Sequence, residues 1–217
     1  ITLLDQQIRR LIEKLDRDGE LENTIVIFTS DNGPTHEGHD HEFFNSNGVL
    51  KGYKRDMYEG GIRVPMIVYW DGKVEHGTIT NHPSAFYDVM PTLAEIAGAT
   101  PPGEIDGISF LPELVGKEQS QHEYLYWELQ GDGKTNTMKK HDGGFRQAMR
   151  MKNWKAVRYG VDGKIELYNL NTDLTESNDV SSQNPELVSR FAKMMVEVRN
   201  DPEHFPYGEG LQSDYSD

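Results

Sequence analysis

The sequence predicts an α/β fold followed by a small α+β unit, and three observations predict it. Two β-branched apolar runs without polar alternation, at 23–30 and 64–70, read as strands buried on both faces, as in a parallel sheet. Helical periodicities stand at 1–15 and 84–97. Beyond about residue 119 the texture changes to short strands joined by tight polar turns, the pattern of an antiparallel sheet.

Each element has its own signature. Ile1, Leu4, Ile8, Leu11, Ile12 and Leu15 recur at helical spacing with Arg9, Arg10, Glu13, Lys14 and Asp16 on the other face, and Gly19 closes the helix as its C-cap. The first apolar run ends in Ser30-Asp31-Asn32-Gly33-Pro34, a turn signature at the strand end where open α/β sheets bind ligands. A long polar loop through His36, His39, Asp40, His41, Phe43, Phe44, Asn47 and Gly48 leads to Glu59-Gly60-Gly61 and the second run. Phe86, Val89, Met90, Leu93 and Ile96 mark the apolar face of the next helix, and Pro101-Pro102-Gly103 with Asp106-Gly107 form a linker. Short strands are predicted at 124–127, 146–151, 154–159 and 165–168, with hairpin connections at 151–154 and 161–164. A last helix takes Asn184 as cap and Pro185 as first residue, with Leu187, Val188, Phe191, Met195 and Val198 facing inward.

The expected organisation is therefore an α/β part at 1–118, a small antiparallel-sheet and helix subdomain at 119–200, and a polar tail at 201–217. Two strands buried on both faces do not make a covered sheet by themselves. The chain is thus expected to be the C-terminal portion of a larger protein whose N-terminal part lies outside it.

Composition narrows the chemistry. The chain has 217 residues with 36 Asp+Glu against 22 Lys+Arg, a formal charge of −14, and a mean hydropathy of −0.70. The acidic balance argues against a nucleic-acid backbone or an anionic lipid surface as main partner, and no stretch approaches the ~20 apolar residues of a membrane span. An anionic substrate would have to be met by local cations. There is no cysteine, hence no disulfide, thiolate zinc site or cysteine nucleophile.

Three features can carry chemistry. Asp31-Asn32 at a strand end offers hard oxygen ligands suited to Ca²⁺ or Mg²⁺, although the dipeptide alone is more simply a turn in which both side chains bond their own backbone. The loop 50–65 is cationic and glycine-punctuated, so a lysine held there can neutralise an oxyanion, or equally be a solvated basic residue. Glu59 can pair with Arg63 in a structural role. His36, His39, Asp40 and His41 cluster in one loop but match no zinc spacing, and read either as substrate contacts or as solvent-exposed groups.

Taken together, Ser-Asp-Asn-Gly at 30–33, Leu-Lys-Gly-Tyr-Lys at 50–54, Tyr-Glu-Gly-Gly-Ile-Arg-Val-Pro-Met-Ile at 58–67 and Tyr-Asp-Val-Met-Pro-Thr-Leu-Ala-Glu-Ile-Ala-Gly at 87–98 resemble the type I, formylglycine-dependent sulfatases. The segment from Trp154-Lys155-Ala156-Val157-Arg158 through Leu167-Tyr168-Asn169-Leu170, with Asp173 and Glu176, is similar to that family's C-terminal subdomain. The resemblance covers the chain apart from the insertion at 131–144 and the tail, and it implies part of an alkaline-phosphatase-like parallel or mixed sheet with flanking helices, followed by the small α+β subdomain.

The resemblance further implies one calcium site, with Asp31 and Asn32 as its second pair of ligands and the first pair outside this chain. Lys54 matches the lysine that contacts the sulfate and the bridging oxygen. The family's nucleophile is a formylglycine made from the Cys or Ser of a Cys/Ser-x-Pro-x-Arg motif, which this chain lacks, so the chain alone is expected to be inactive. His36, His39, Asp40 and Arg146 are candidate contacts to a sulfated glycan, with Lys139, Lys140, His141 and Asp142 of the insertion at the cleft rim. Glu128 belongs to a strand core or reaches a sugar hydroxyl. The implied activity is sulfate-ester hydrolysis by a protein of the bacterial periplasm or cell surface. Two other readings are a phosphoryl hydrolase of the same superfold and a non-catalytic relative that binds anionic glycans.

Overall fold

A computed structural model describes residues 1–35, 42–130 and 144–200. The chain divides into two compact units, Ile1–Ser30 with Pro65–His122, and Asp31–Val64 with Glu123–Asp217. None of the described helices is long and apolar enough to cross a membrane.

The first unit contains helix α1 (Thr2–Arg17), strand β1 (Ile25–Thr29), strand β2 (Met66–Trp70), helix α3 (Val89–Ile96) and the single turn α4 (Leu111–Leu114). The strands form a two-stranded antiparallel sheet from Ile25↔Trp70 to Thr29↔Met66. This corrects the expectation of parallel strands buried on both faces. An apolar run reports that both faces are to be covered and says nothing of the direction of its neighbour. Among the described residues the pair is left partly uncovered: Ile67 is 63% exposed, and Phe28 and Met66 are exposed as well. On α1 no residue is buried, and Leu3, Leu4 and Leu11 stand in solvent.

What orders this unit is a polar knot. Asp88 is buried: its Oδ2 accepts from Ala85 N at 2.7 Å, while its Oδ1 accepts from Ile108 N at 2.9 Å and lies 2.7 Å from His122 Nε2. Thr92 Oγ1 donates to Asp88 O and accepts from Phe110 N. Gly107 is required because a Cβ there would stand 2.0 Å from Tyr87 O. Phe110 and Pro91 are the buried apolar side chains among this unit's described residues.

The second unit is built on a four-stranded antiparallel meander: β3 (Leu125–Gln130), β4 (Phe145–Met151), β5 (Trp154–Tyr159) and β6 (Ile165–Asn169). The period-2 alternation of strands divides its residues between two faces. Met149, Met151, Ala156, Ile165 and Leu167 meet Phe191 and Met195 of helix α5 (Pro185–Glu197). Ala148, Val157 and Tyr168, on the opposite face, pack with Met57 of the loop that precedes β2 in sequence. Pro185 opens α5 as expected, but Asn184 at the cap position donates its Nδ2 to Val180 O and makes no side-chain capping bond.

Candidate active site

The site is assembled within the second unit by backbones that lie too close for any side chain but hydrogen. Residues 51–63, including the single turn α2 (Glu59–Ile62), cross the sheet face opposite α5. A Cβ at Gly60 would stand 2.3 Å from Gly52 O, and one at Gly61 would stand 2.2 Å from Asp56 O. The turn after β1 is laid on this loop: Gly33 N donates to Gly61 O at 2.9 Å, and Lys54 N donates to Pro34 O at 2.8 Å. A Cβ at Gly33 would overlap Gly60 O at 1.8 Å. These glycines therefore serve close backbone approach. The consequence is that Asp31-Asn32 and Lys54, distant in sequence, share one loop cluster.

Within that cluster the two lysines of Leu-Lys-Gly-Tyr-Lys have different fates. Lys51 Nζ sits 3.8 Å above the Tyr58 ring and donates to Tyr168 OH at 3.2 Å and to Glu176 O at 3.1 Å. Its charge is spent on the fold through a cation–π contact and two hydrogen bonds. Lys54 Nζ is half-buried and has no hydrogen bond or ion pair among the described residues. Asp31 is exposed and Asn32 half-buried, so at the turn there is one carboxylate and one amide oxygen in reach of solvent. Hard oxygen donors of this kind suit Ca²⁺, which takes six to eight of them. The pair fits such an ion as part of a ligand set. Among the described residues no group of three His, Asp, Glu or Cys side chains is disposed to hold a metal.

The loop is fastened to the sheet by buried charge. Lys155 Nζ lies 2.9 Å from Glu59 Oε1 and 3.0 Å from Glu176 Oε1. Burial alone would raise the Glu59 carboxyl, but the charge and hydrogen bond of Lys155 hold it below its ordinary value, while burial keeps Glu176 above its own. Tyr58 and Tyr168 both donate to Glu166 Oε2, at 2.6 and 2.7 Å. Burial first, then that carboxylate, pushes both phenols up, so they remain donors throughout the working pH range.

Arg146, the expected substrate contact from the sheet, has a side chain with 0% exposure. Its NH1 donates to Arg55 O and lies 3.6 Å from Asp56 Oδ1, and its guanidinium stands 5.3 Å from the Tyr159 ring centroid. Arg55 takes φ = +77°, a left-handed conformation disfavoured for a residue with a Cβ. The geometry thus places Arg146 under the turn that carries Lys54. Glu128, on β3, is gripped by Arg199 through Nε at 2.7 Å and NH2 at 3.0 Å and accepts from Tyr126 OH, which makes it part of the sheet–helix packing. His36, His39 and Asp40, with His41, lie outside the described residues, as do Lys139, Lys140, His141 and Asp142.

Lys155 and Glu176 were not singled out as site residues from sequence. The available signal was Lys155 itself, a charged residue at the core-facing register of a strand whose neighbours are Trp154 and Ala156. The Glu59–Arg63 pair expected from spacing forms at 3.4 Å, yet the stronger partner of Glu59 is Lys155.

Comparison with known proteins gives the family and the fold. A family model described as "Sulfatase" matches residues 1–99, and one described as "N-sulphoglucosamine sulphohydrolase, C-terminal" matches residues 51–201. The N-acetylgalactosamine-6-O-sulfatase of Bacteroides thetaiotaomicron is 30% identical over 216 residues, covering 92% of this chain and 41% of the relative. The crystal structure of Ps i-CgsB in complex with k-i-k-neocarrahexaose superposes with a TM-score of 0.74 at 29% identity, covering 89% of this chain and 40% of that one. A phosphonate monoester hydrolase from Silicibacter pomeroyi shares the fold, with a TM-score of 0.70 at 23% identity over 90% of this chain and 38% of its own. The chain therefore spans about two fifths of the length of these relatives. By these matches the chain belongs to the sulfatase family, whose C-terminal portion it covers.

Proposed function

We propose that this chain is the C-terminal part of a calcium-dependent sulfatase that hydrolyses sulfate esters on a sulfated glycan. The observation that carries the reading is the pair of backbone bonds Gly33 N to Gly61 O and Lys54 N to Pro34 O, which bring the Asp31-Asn32 turn and the turn of Lys54 into one loop cluster, Lys54 having no side-chain partner among the described residues. In this reading Asp31 and Asn32 would hold a calcium ion with two of its oxygen ligands, and such an ion would supply positive charge beside the sulfate. Lys54 donates to the sulfate and to the bridging oxygen, where negative charge grows as the S–O bond breaks. His36, His39 and Asp40 follow the ligand pair in sequence and, as the family resemblance implies, are assigned in this reading as contacts to the sugar. The nucleophile, a formylglycine, and the remaining ligands come from an N-terminal part of the same protein, since this chain has no cysteine and no Ser-x-Pro-x-Arg. The exposed apolar residues of α1 and the β1–β2 pair support such a covering part. The glycan class rests on the relatives, a galactosamine sulfatase and a protein crystallised with a neocarrahexaose. A polymeric glycan substrate places the protein in a bacterial periplasm or at the cell surface.

In the full-length protein, Lys54→Ala is expected to cut sulfate release by at least ~100-fold, the order found for removing one charge-stabilising donor. Asp31→Ala is expected to abolish both activity and its dependence on calcium. Near-normal release by Lys54→Ala would overturn the reading. The likeness in fold to a phosphonate monoester hydrolase favours a second one, phosphoryl or phosphonate ester hydrolysis. Faster turnover of a phosphonate ester than of a sulfated disaccharide, or better restoration by zinc than by calcium, would decide for it.

A further inference from the structure

We propose that Glu59, Lys155 and Glu176 form the positioning device of the Lys54 loop, so that the C-terminal sheet sets where the sulfate-binding lysine stands. The inference rests on the role given to Lys54 above. Glu176 grips the segment carrying Lys54 at both ends. Its carbonyl accepts from Lys51 Nζ at 3.1 Å, and its carboxylate Oε2 accepts from Glu59 N at 2.6 Å. Lys54 lies between those two anchors in sequence. Lys155, from β5, ties the two glutamates together at 2.9 and 3.0 Å. Glu59, Lys155 and Glu176 are 3%, 0% and 0% exposed.

The arrangement is held against several costs. Glu176 takes φ = +50°, a conformation that side chains disfavour. Two carboxylates share one buried ammonium, and the further cations acting on Glu59 are Arg150 and Arg63, the latter half in solvent at 3.4 Å. Apolar packing of the same volume generally stabilises a fold at least as well as a buried ion cluster. What the cluster supplies that apolar contact does not is a directional register of the loop on the sheet. Since α2 and the Gly60-Gly61 approach begin at Glu59, a slip there moves the whole turn at 53–56.

The test uses near-isosteric variants in the full-length protein, Glu176→Gln and Glu59→Gln, with amide exchange and kinetics read together. Amide exchange at 57–61 is expected to speed up at least ~10-fold while β4 and β5 exchange as before, the signature of a local opening. kcat/KM for a sulfated disaccharide is expected to fall about 10- to 100-fold, the effect of misplacing a reacting group by about 1 Å. In a Lys54→Ala background the same variants should cost less than about twofold more, because coupled residues are non-additive. Equal losses in both backgrounds, unchanged kinetics, or faster exchange throughout β4 and β5 would each overturn the proposal. Full activity of Lys54→Ala alone would instead overturn the proposed function, and the exchange data would still decide whether the cluster holds the loop.

Discussion

Glu59 and Glu176 share one lysine and yet are displaced in opposite directions, the first lowered by Lys155 and the second raised by burial. Their contributions to stability then have opposite signs with pH. Glu59 binds its proton less readily when folded, so its contribution is present above the ordinary glutamate range, about 4.3, and is lost as pH falls through its lowered folded value. Glu176 binds its proton more readily when folded, so stability is lost as pH rises from that range through its raised value. Urea unfolding at pH 7 is therefore expected to show Glu59→Gln as the more destabilised of the two variants, and the order to narrow or reverse towards pH 4. Burial decides magnitude in the same way. Lys155→Met, which strands two buried carboxylates, is expected to cost about 3–5 kcal/mol. Lys164→Met, which breaks an exposed pair with Asp179, is expected to cost at most about 1 kcal/mol. At Gly33, alanine places Cβ 1.8 Å from a backbone oxygen that cannot swing aside, so Gly33→Ala should unfold the turn or displace it from Gly61.

At the scale of elements, strands 154–159 and 165–168 were legible because alternation marks both strand and register: β5 is Trp154–Tyr159 and β6 is Ile165–Asn169. The hairpin at 151–154 was legible for the same reason, and Lys152 takes φ = +53° there. The helix expected over 84–97 begins with a 3-10 turn, Phe86–Asp88, because Asp88 caps Ala85 N before the α-helical part starts at Val89. Pairing geometry predicts dynamics. β4 and β5 are hydrogen-bonded on both edges and covered on both faces, whereas among the described residues β1 and β2 pair only with each other and carry exposed side chains. Amides of β4 and β5 are expected to exchange slowest, and those of β1 and β2 orders of magnitude faster in the 217-residue chain. Comparable protection in both sheets would contradict this account.

For the whole molecule, apolar surface is unevenly distributed. Nearly all fully buried apolar side chains among the described residues belong to the second unit, while α1 presents Leu11, β1 Phe28, β2 Ile67, and α3 Met90 and Leu93 to solvent. Exposed apolar side chains in this number favour association. The 217-residue chain alone is therefore expected to bind a hydrophobic dye and to self-associate as concentration rises, and Leu4→Glu with Leu11→Glu on α1 to reduce both. The division also separates what was determined locally from what was not. Periodicity and turn residues were enough for the helices, the C-terminal strands and the turn at Asp31-Asn32, because those signals are written within a few residues of where they act, whereas Lys54 was singled out by resemblance of its motif and not by local pattern. Only the tertiary structure decided that β1 and β2 run antiparallel, that Lys51 is consumed by Tyr58, Tyr168 and Glu176 while Lys54 is left, that Arg146 lies beneath the turn, and that Lys155 joins Glu59 to Glu176. Each of these depends on which distant backbones meet and on how much water they exclude, and no short-range pattern encodes either.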